Sequence, residues 1–191
     1  MVGLRVVVVG VPGVGKTTVV EGLVSEYRGA KLVNFGTVML KTGLSLKWIK
    51  NRDDIRKLTV EKQRSLQKVA ASKISKMKDR TVVVDTHLFI RTKEGFWPGL
   101  PFDVVRALRP THLVLVQASP EEVARRRTAD SKRYRDTVTM DDLEEELGLA
   151  RSFLAVSSTL TGAPMLMVNN SEGRAAEVAS EIASMLRGAV A

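Results

Sequence analysis

The stretch "LRVVVVGVPGVGKTT", residues 4–18, joins an apolar run broken only by Arg5 to a glycine-rich turn and a helix-like segment. A short run that is apolar on both of its alternating sides suits a strand buried on both faces of a sheet. The turn that follows, Gly10-Val11-Pro12-Gly13-Val14-Gly15-Lys16-Thr17, fits G-x-x-x-x-G-K-[ST] at every fixed position. Glycines let the backbone curl until several N–H groups face one anion, and the next helix adds the positive end of its dipole. The turn is therefore read as a phosphate cradle. Lys16 reaches the β- and γ-phosphates, Thr17 offers a hydroxyl to Mg²⁺, and Thr18 adds a donor near the α-phosphate.

The rest of the chain alternates strand-like and helix-like segments. "KLVNF", "TVVVDT", "HLVLVQA" and "PMLMVN" read as four more short strands. Helical patterns lie over Thr17–Tyr27, Asp141–Leu160 and Arg174–Leu186. Thr59 caps another, with Leu66, Val69, Ala70, Ile74 and Met77 on one side. This alternation predicts an α/β fold in three layers, a parallel sheet of about five strands between helices. Residues 34–78 read as nearly all helical and are expected to project as a subdomain between the second and third strands. Asp85 ends "TVVVD" at the carboxyl edge of the sheet, where ligands collect, and is the expected carboxylate for Mg²⁺, acting through water. His87, one of two histidines, is read as a structural hydrogen-bonder.

Composition sets outer bounds. The chain has 191 residues, 44% of them hydrophobic and no cysteine, so one globular domain without disulfides or a thiolate metal site is expected. The longest uncharged stretch, residues 152–171, carries Ser, Thr, Gly, Pro and Asn and reads as helix, loop and strand rather than a membrane helix. No signal-peptide pattern opens the chain, and a cytoplasmic protein is expected. The formal charge is +9, and Lys47–Arg80 alone holds twelve Lys/Arg against four Asp/Glu. That excess is either a solvated helix face or a surface for an anion, a nucleotide or RNA. Few aromatics interleave, which speaks against stacking on single-stranded bases. There is no N-K-x-D base-reading segment, and the length and helical insertion favour a small kinase over a GTPase or a large ATPase.

Taken in order, "VVVVGVPGVGKTT", "VNFGTVM", "NRDDIRKL", "VVVDTH", "RTKEGFWPGLP", "RYRD" and "LTGA" resemble the archaeal type of adenylate kinase over nearly the whole chain. The resemblance implies one P-loop kinase domain with a monophosphate-binding insertion over about 34–78, a short lid over about 126–137, and a homotrimer. It implies Mg²⁺-dependent, reversible transfer of the ATP γ-phosphoryl group to AMP, giving two ADP. By the same resemblance, Asn34, Gly36, Thr37, Arg56 and Arg91 line the AMP site. Lys16, Arg91, Arg126, Arg133 and Arg135 carry catalysis, the last three from the lid. The ATP phosphates lie on residues 10–18 (Gly10, Val11, Pro12, Gly13, Val14, Gly15, Lys16, Thr17 and Thr18), and Thr161, Gly162 and Ala163 pass the adenine. Arginine suits such a site because its planar fork grips phosphate bidentately. The alternatives kept open are another nucleoside monophosphate as acceptor, or an RNA-associated ATPase with a kinase-like fold.

Overall fold

The computed structural model describes residues 3–92, 95–129 and 139–188. Five parallel strands form one sheet in the order β2-β3-β1-β6-β7: β1 (Leu4–Val9), β2 (Ala30–Asn34), β3 (Thr81–Asp85), β6 (His112–Gln117) and β7 (Met165–Asn169). Val6 to Val9, Val82 to Val84 and Val114 are wholly buried, which is why these segments read as continuous apolar runs. The expected five-stranded sheet and its three-layer class are found.

Register brings the strand ends together. Val8 and Asn34 both pair with Asp85. The turn after β1, the end of β2 and the end of β3 therefore meet at one point of the carboxyl edge. The chain leaves β1 toward β2 and β3 on one side and β6 on the other, the switch that opens a crevice in such sheets.

Helices cover both faces. Helix α1 (Lys16–Glu26) packs on α7 (Ala175–Gly188), whose Val178, Ile182 and Leu186 recur every four residues and are buried. Helices α2 (Phe35–Ser45) and α3 (Val60–Ser75), with a 3₁₀ turn over Asp53–Lys57 between them, lie between β2 and β3. Thr59 caps α3 as expected, accepting from the Lys62 N–H at 3.4 Å. The buried face of α3 is Leu66, Ala70, Ala71 and Ile74; Val69, expected there, is exposed. Ala70, Ala71 and Ile74 belong to the main core, so α3 is a layer of that core rather than part of a free projection.

Three described elements were not foreseen. A hairpin of β4 (Phe89–Thr92) and β5 (Gly95–Pro98) stands apart from the main sheet. Its Phe89 packs edge-on against Phe96 at 5.1 Å and against Phe153 of α6 (Met140–Thr161) at 5.6 Å. Helix α4 (Phe102–Leu108) packs against α3 and α6. Helix α5 (Pro120–Ala129) buries only Val123, so its arginines hid it as a charge cluster. The uncharged stretch 152–171 is the end of α6, a turn at Gly162 and β7, as expected. Among the described residues no helix is long and apolar enough to cross a membrane.

Candidate phosphate-binding site

The turn between β1 and α1 is shaped by glycines where a side chain has no room. A Cβ on Gly10 would lie 2.6 Å from the Val116 carbonyl oxygen. Gly15 caps α1 at φ 80°, and the Asn170 amide fills the space its Cβ would need. Lys16, Thr17 and Thr18 then form the first turn of α1, where backbone N–H groups have no helical acceptor. Thr17 and Thr18 are exposed; Lys16 is buried.

Lys16 Nζ is paired with Asp85 Oδ1. Burial draws the ammonium pKa down to about 8. The other Asp85 oxygen accepts from Asn34 Nδ2 at 2.8 Å. Asn34 in turn caps α2, its Oδ1 accepting from the Thr37 N–H at 3.0 Å and the Thr37 hydroxyl at 3.2 Å. Arg52 Nη2 reaches the same hydroxyl at 3.3 Å. One hydrogen-bonded chain therefore runs from the phosphate cradle through Asp85 to the head of α2. It joins Lys16, Asp85, Asn34 and Thr37, four of the residues singled out in the sequence, and brings in Arg52. Gly36 lies beside Asn34. His87 sits 3.4 Å from the Gly10 carbonyl, consistent with a structural role.

The arginines divide by position. Arg56, on the 3₁₀ turn, is exposed, with no ion-pair partner among the described residues. Arg91, on β4, donates to Asp142 at 2.8 Å and Glu146 at 3.4 Å and lies 5.7 Å over the Phe96 ring. The Arg91 bond, then the Thr139 contacts, hold the Asp142 carboxyl at a pKa of about 2. Arg126 lies along the phosphate turn: Nη1 donates to the Val14 carbonyl at 3.2 Å and Nη2 to the Asn170 carbonyl at 2.9 Å. Arg127 donates from Nε to the Pro12 carbonyl at 2.8 Å and from Nη2 to buried Glu146 at 2.6 Å. Arg133 and Arg135, and most of the expected lid, lie outside the described residues.

One set of expected residues is not brought to the site. Thr161 ends α6, Gly162 caps it at φ 71°, and Ala163 precedes β7. In a parallel sheet the residues before a strand lie at the amino edge, opposite the cradle, which follows β1. The Thr161 hydroxyl bonds the Ser157 carbonyl at 2.7 Å, within its own helix. The loop at the carboxyl edge is the one after β7, beginning at Asn170. Asn170 Nδ2 donates to the Val14 carbonyl at 2.8 Å, and Glu172 N–H donates to Glu122 of α5 at 2.7 Å. The sequence signal was available: "NNSEG" follows a strand, whereas "LTGA" precedes one.

The cradle suits a hard cation only in company with phosphate. Its oxygen donors are the Thr17 hydroxyl and one carboxylate, Asp85, both of whose oxygens already hold protein donors. Among the described residues no three His, Cys, Asp or Glu cluster as a metal cage. Mg²⁺ fits this donor set, since it usually keeps several waters and takes its remaining oxygens from a carboxylate and phosphates.

A family model described as an AAA domain matches residues 9–144. The chain is 39% identical over 188 residues to the adenylate kinase of Methanopyrus kandleri, covering 97% of this chain and 98% of that one. It is 39% identical to that of Thermoplasma acidophilum, covering 96% and 98%, and 40% identical to that of Methanococcus aeolicus, covering 95% and 97%. Among solved structures, the shikimate kinase of Bacteroides thetaiotaomicron superposes with a TM-score of 0.65 at 14% identity, covering 96% of this chain and 98% of that one, a likeness of fold. A complete P-loop between β1 and α1, and 39–40% identity to these archaeal enzymes over nearly the whole chain, lead to one assignment: the chain belongs to the adenylate kinase family of P-loop phosphotransferases.

Proposed function

We propose that the protein transfers the γ-phosphoryl group of Mg·ATP to AMP, reversibly, giving two ADP. The observation that carries this reading is the carboxylate of Asp85, shared between Lys16 of the phosphate turn and Asn34 at the head of α2. A donor loop and a second polar site meet there at one carboxylate. Residues 10–18 hold the ATP phosphates. The base lies along the loop after β7 instead of at Thr161, Gly162 and Ala163. Asn34, Gly36, Thr37, Arg56 and Arg91 take AMP, with 34–78 as the monophosphate-binding region and 126–137 as the lid.

Phosphoryl transfer asks for position and for cations where charge gathers. Lys16 leaves Asp85 for the donor phosphates, and Asn34 keeps Asp85 oriented. Arg91 exchanges Asp142 and Glu146 for the incoming phosphate, Arg133 and Arg135 neutralise the transferring group, and Arg126, held along the turn, adds its charge beside it. Thr17 and, through water, Asp85 would hold Mg²⁺, which would neutralise charge on the donor phosphates. The acceptor is already an anion, so no carboxylate base is required beside it. A homotrimer and a cytoplasmic setting complete the proposal. Exposed Val156 and Leu160 on α6, with exposed Met165 and Met167 on edge strand β7, supply apolar surface for self-association.

The test is ADP formation from Mg·ATP with each monophosphate in turn. Fast turnover with AMP alone is expected. Equal or better rates with CMP, UMP or dTMP reassign the acceptor, and RNA-stimulated hydrolysis without AMP phosphorylation replaces the reading.

A further inference from the structure

The phosphate turn is rich in glycine, and glycine peptides turn over easily because no Cβ restrains them. Its Pro12 and Val14 carbonyls are nonetheless engaged by side chains from elsewhere in the fold. The Val14 carbonyl takes two donors, Asn170 Nδ2 at 2.8 Å and Arg126 Nη1 at 3.2 Å. The Pro12 carbonyl takes Arg127 Nε at 2.8 Å. The donors come from outside the turn, α5 and the loop after β7, and are themselves held. Asn170 is 3% exposed, its N–H bonded to the Gln117 carbonyl at 2.8 Å and its own carbonyl to Arg126. Arg127 is anchored on the far side by Glu146, which is 4% exposed.

A trans peptide unit is planar, with its C=O and its N–H pointing in opposite directions. Fixing the Val14 carbonyl toward Asn170 and Arg126 turns the Gly15 N–H to the other side. Fixing the Pro12 carbonyl toward Arg127 does the same for the Gly13 N–H. Neither N–H has an acceptor among the described residues. We infer that Asn170 and Arg127, together with Arg126, are positioning residues that lock the peptide planes of the turn, so that the Gly13 and Gly15 N–H groups face the donor phosphate before it arrives. The inference rests on the proposal that this turn holds the ATP phosphates. It accounts for an amide at 170: a carbonyl needs a donor, and a carboxylate there would offer only a repelling oxygen. It also accounts for two adjacent arginines in α5, since each serves a different carbonyl.

The test uses the full chain and inorganic tripolyphosphate, which has phosphates but no base. It therefore separates the turn from the adjoining loop. Calorimetric titrations with tripolyphosphate and with AMP, with a melting curve for each protein, compare wild type with Asn170→Asp and Arg127→Lys. Arg127→Lys keeps the charge that faces Glu146 and loses the Nε donor. The expected result is tripolyphosphate binding weakened about tenfold by each change, the scale of one lost hydrogen bond, with kcat/KM for ATP falling in parallel and AMP binding unchanged. Unchanged tripolyphosphate affinity in folded Asn170→Asp and Arg127→Lys overturns the inference, as does a lowered Tm without lost affinity or an equal loss for both ligands. Should Asn170→Asp not fold, Arg127→Lys and Asn170→Ser decide on the same readings. Lys16→Ala in the same titration separates the two ideas. If it too binds tripolyphosphate normally, the donor-site proposal has failed; if it alone loses binding, only the positioning role has.

Discussion

The proposed donor and acceptor sides of the site are built differently. On the donor side Val11, Val14 and Lys16 are buried, and the residues whose side chains reach the turn are themselves held: Arg127 by Glu146, Arg126 by the Asn170 carbonyl, and Asn170 through its backbone N–H by the Gln117 carbonyl. On the acceptor side Asn34, Arg52 and Arg56 are exposed, and Arg91 spends its charge on Asp142 and Glu146. The donor half is preorganised by packing. The proposed acceptor half stands open: Arg52 and Arg56 are exposed, and Arg91 is held by carboxylates that a phosphate must replace. A shape that exists beforehand binds without the cost of ordering it, whereas an open one exchanges part of its binding energy for closure. Changes on the donor side should therefore strike turnover and ATP together, and changes on the acceptor side should strike AMP alone.

The strongest way to break the contrast is Lys16→Ala. It removes the one buried cation of the cradle, and kcat/KM for ATP is expected to fall at least about 10²–10³-fold, the scale for loss of one preorganised charge donor. The melting curve should remain cooperative, since the α1 first turn keeps its backbone. Steady-state rates with a melting curve check it, and near-wild-type turnover removes Lys16 from the donor site. Arg56→Ala is the counterpart. Arg56 is exposed and touches no carboxylate among the described residues, so its loss should leave Tm and the KM for ATP in place. The KM for AMP should rise about 10- to 100-fold, the range of one charge-assisted phosphate contact. A Kd for ATP that moved equally would erase the distinction between the halves.

How legible these halves were from the sequence follows the same division. The cradle is a local motif between a strand and a helix, and buried parallel strands show as continuous apolar runs, so the turn, the five strands and Asp85 stood out. What escaped depends on long-range contact. By resemblance Arg126 is placed in the lid and Arg127 is given no role; their carbonyl partners at 14 and 12 lie more than a hundred residues away. Glu146, at one of many acidic positions in "DDLEEE", is buried only because Arg127 and Arg91 converge on it. "GFWP", with glycine and proline at its ends, is assigned to no strand from the sequence, yet it pairs with "FIRT", and Phe96 packs on Phe89. Thr161 to Ala163 come from the resemblance of "LTGA" to a family segment, and that short match does not weigh at which end of β7 the turn lies.

Titration sharpens the donor side. Burial draws the Lys16 pKa down to about 8, so the free enzyme loses this proton as pH rises through that value. Bound ATP adds negative charge and holds the proton on. The pH profile of kcat/KM for ATP should bend downward above about 8, while kcat stays level to a more alkaline limit, because the first reports the free enzyme and the second the complex. Stability moves the other way. The folded value lies below the 10.5 of a free lysine, so between about 8 and 10.5 the unfolded chain binds more protons and the Lys16 contribution to stability grows with pH. Lys16→Ala should lack that rise in Tm.

The smallest expected effect probes the helix the two halves share. Thr139 and Asp142 form a reciprocal cap at the start of α6, the Asp142 N–H bonded to the Thr139 hydroxyl and the Thr139 N–H to the Asp142 carboxylate at 3.0 Å. The same helix presents Asp142 to Arg91 in its first turn and Glu146 to Arg127 in its second. Thr139→Ala should cost about 1 kcal/mol, a fall in Tm of about 2–4 °C for a chain this long. Because the first turn frays before the second, the KM for ATP should hold. Asp142 is ionised above its free value of 3.8, and its stabilising share is lost as pH falls through about 2. The Tm gap between wild type and Thr139→Ala should therefore be constant from pH 7 to about 4 and narrow toward pH 2. A gap that stayed open in acid would assign the cap to the Thr139 hydroxyl alone and leave the Asp142 carboxylate to serve Arg91.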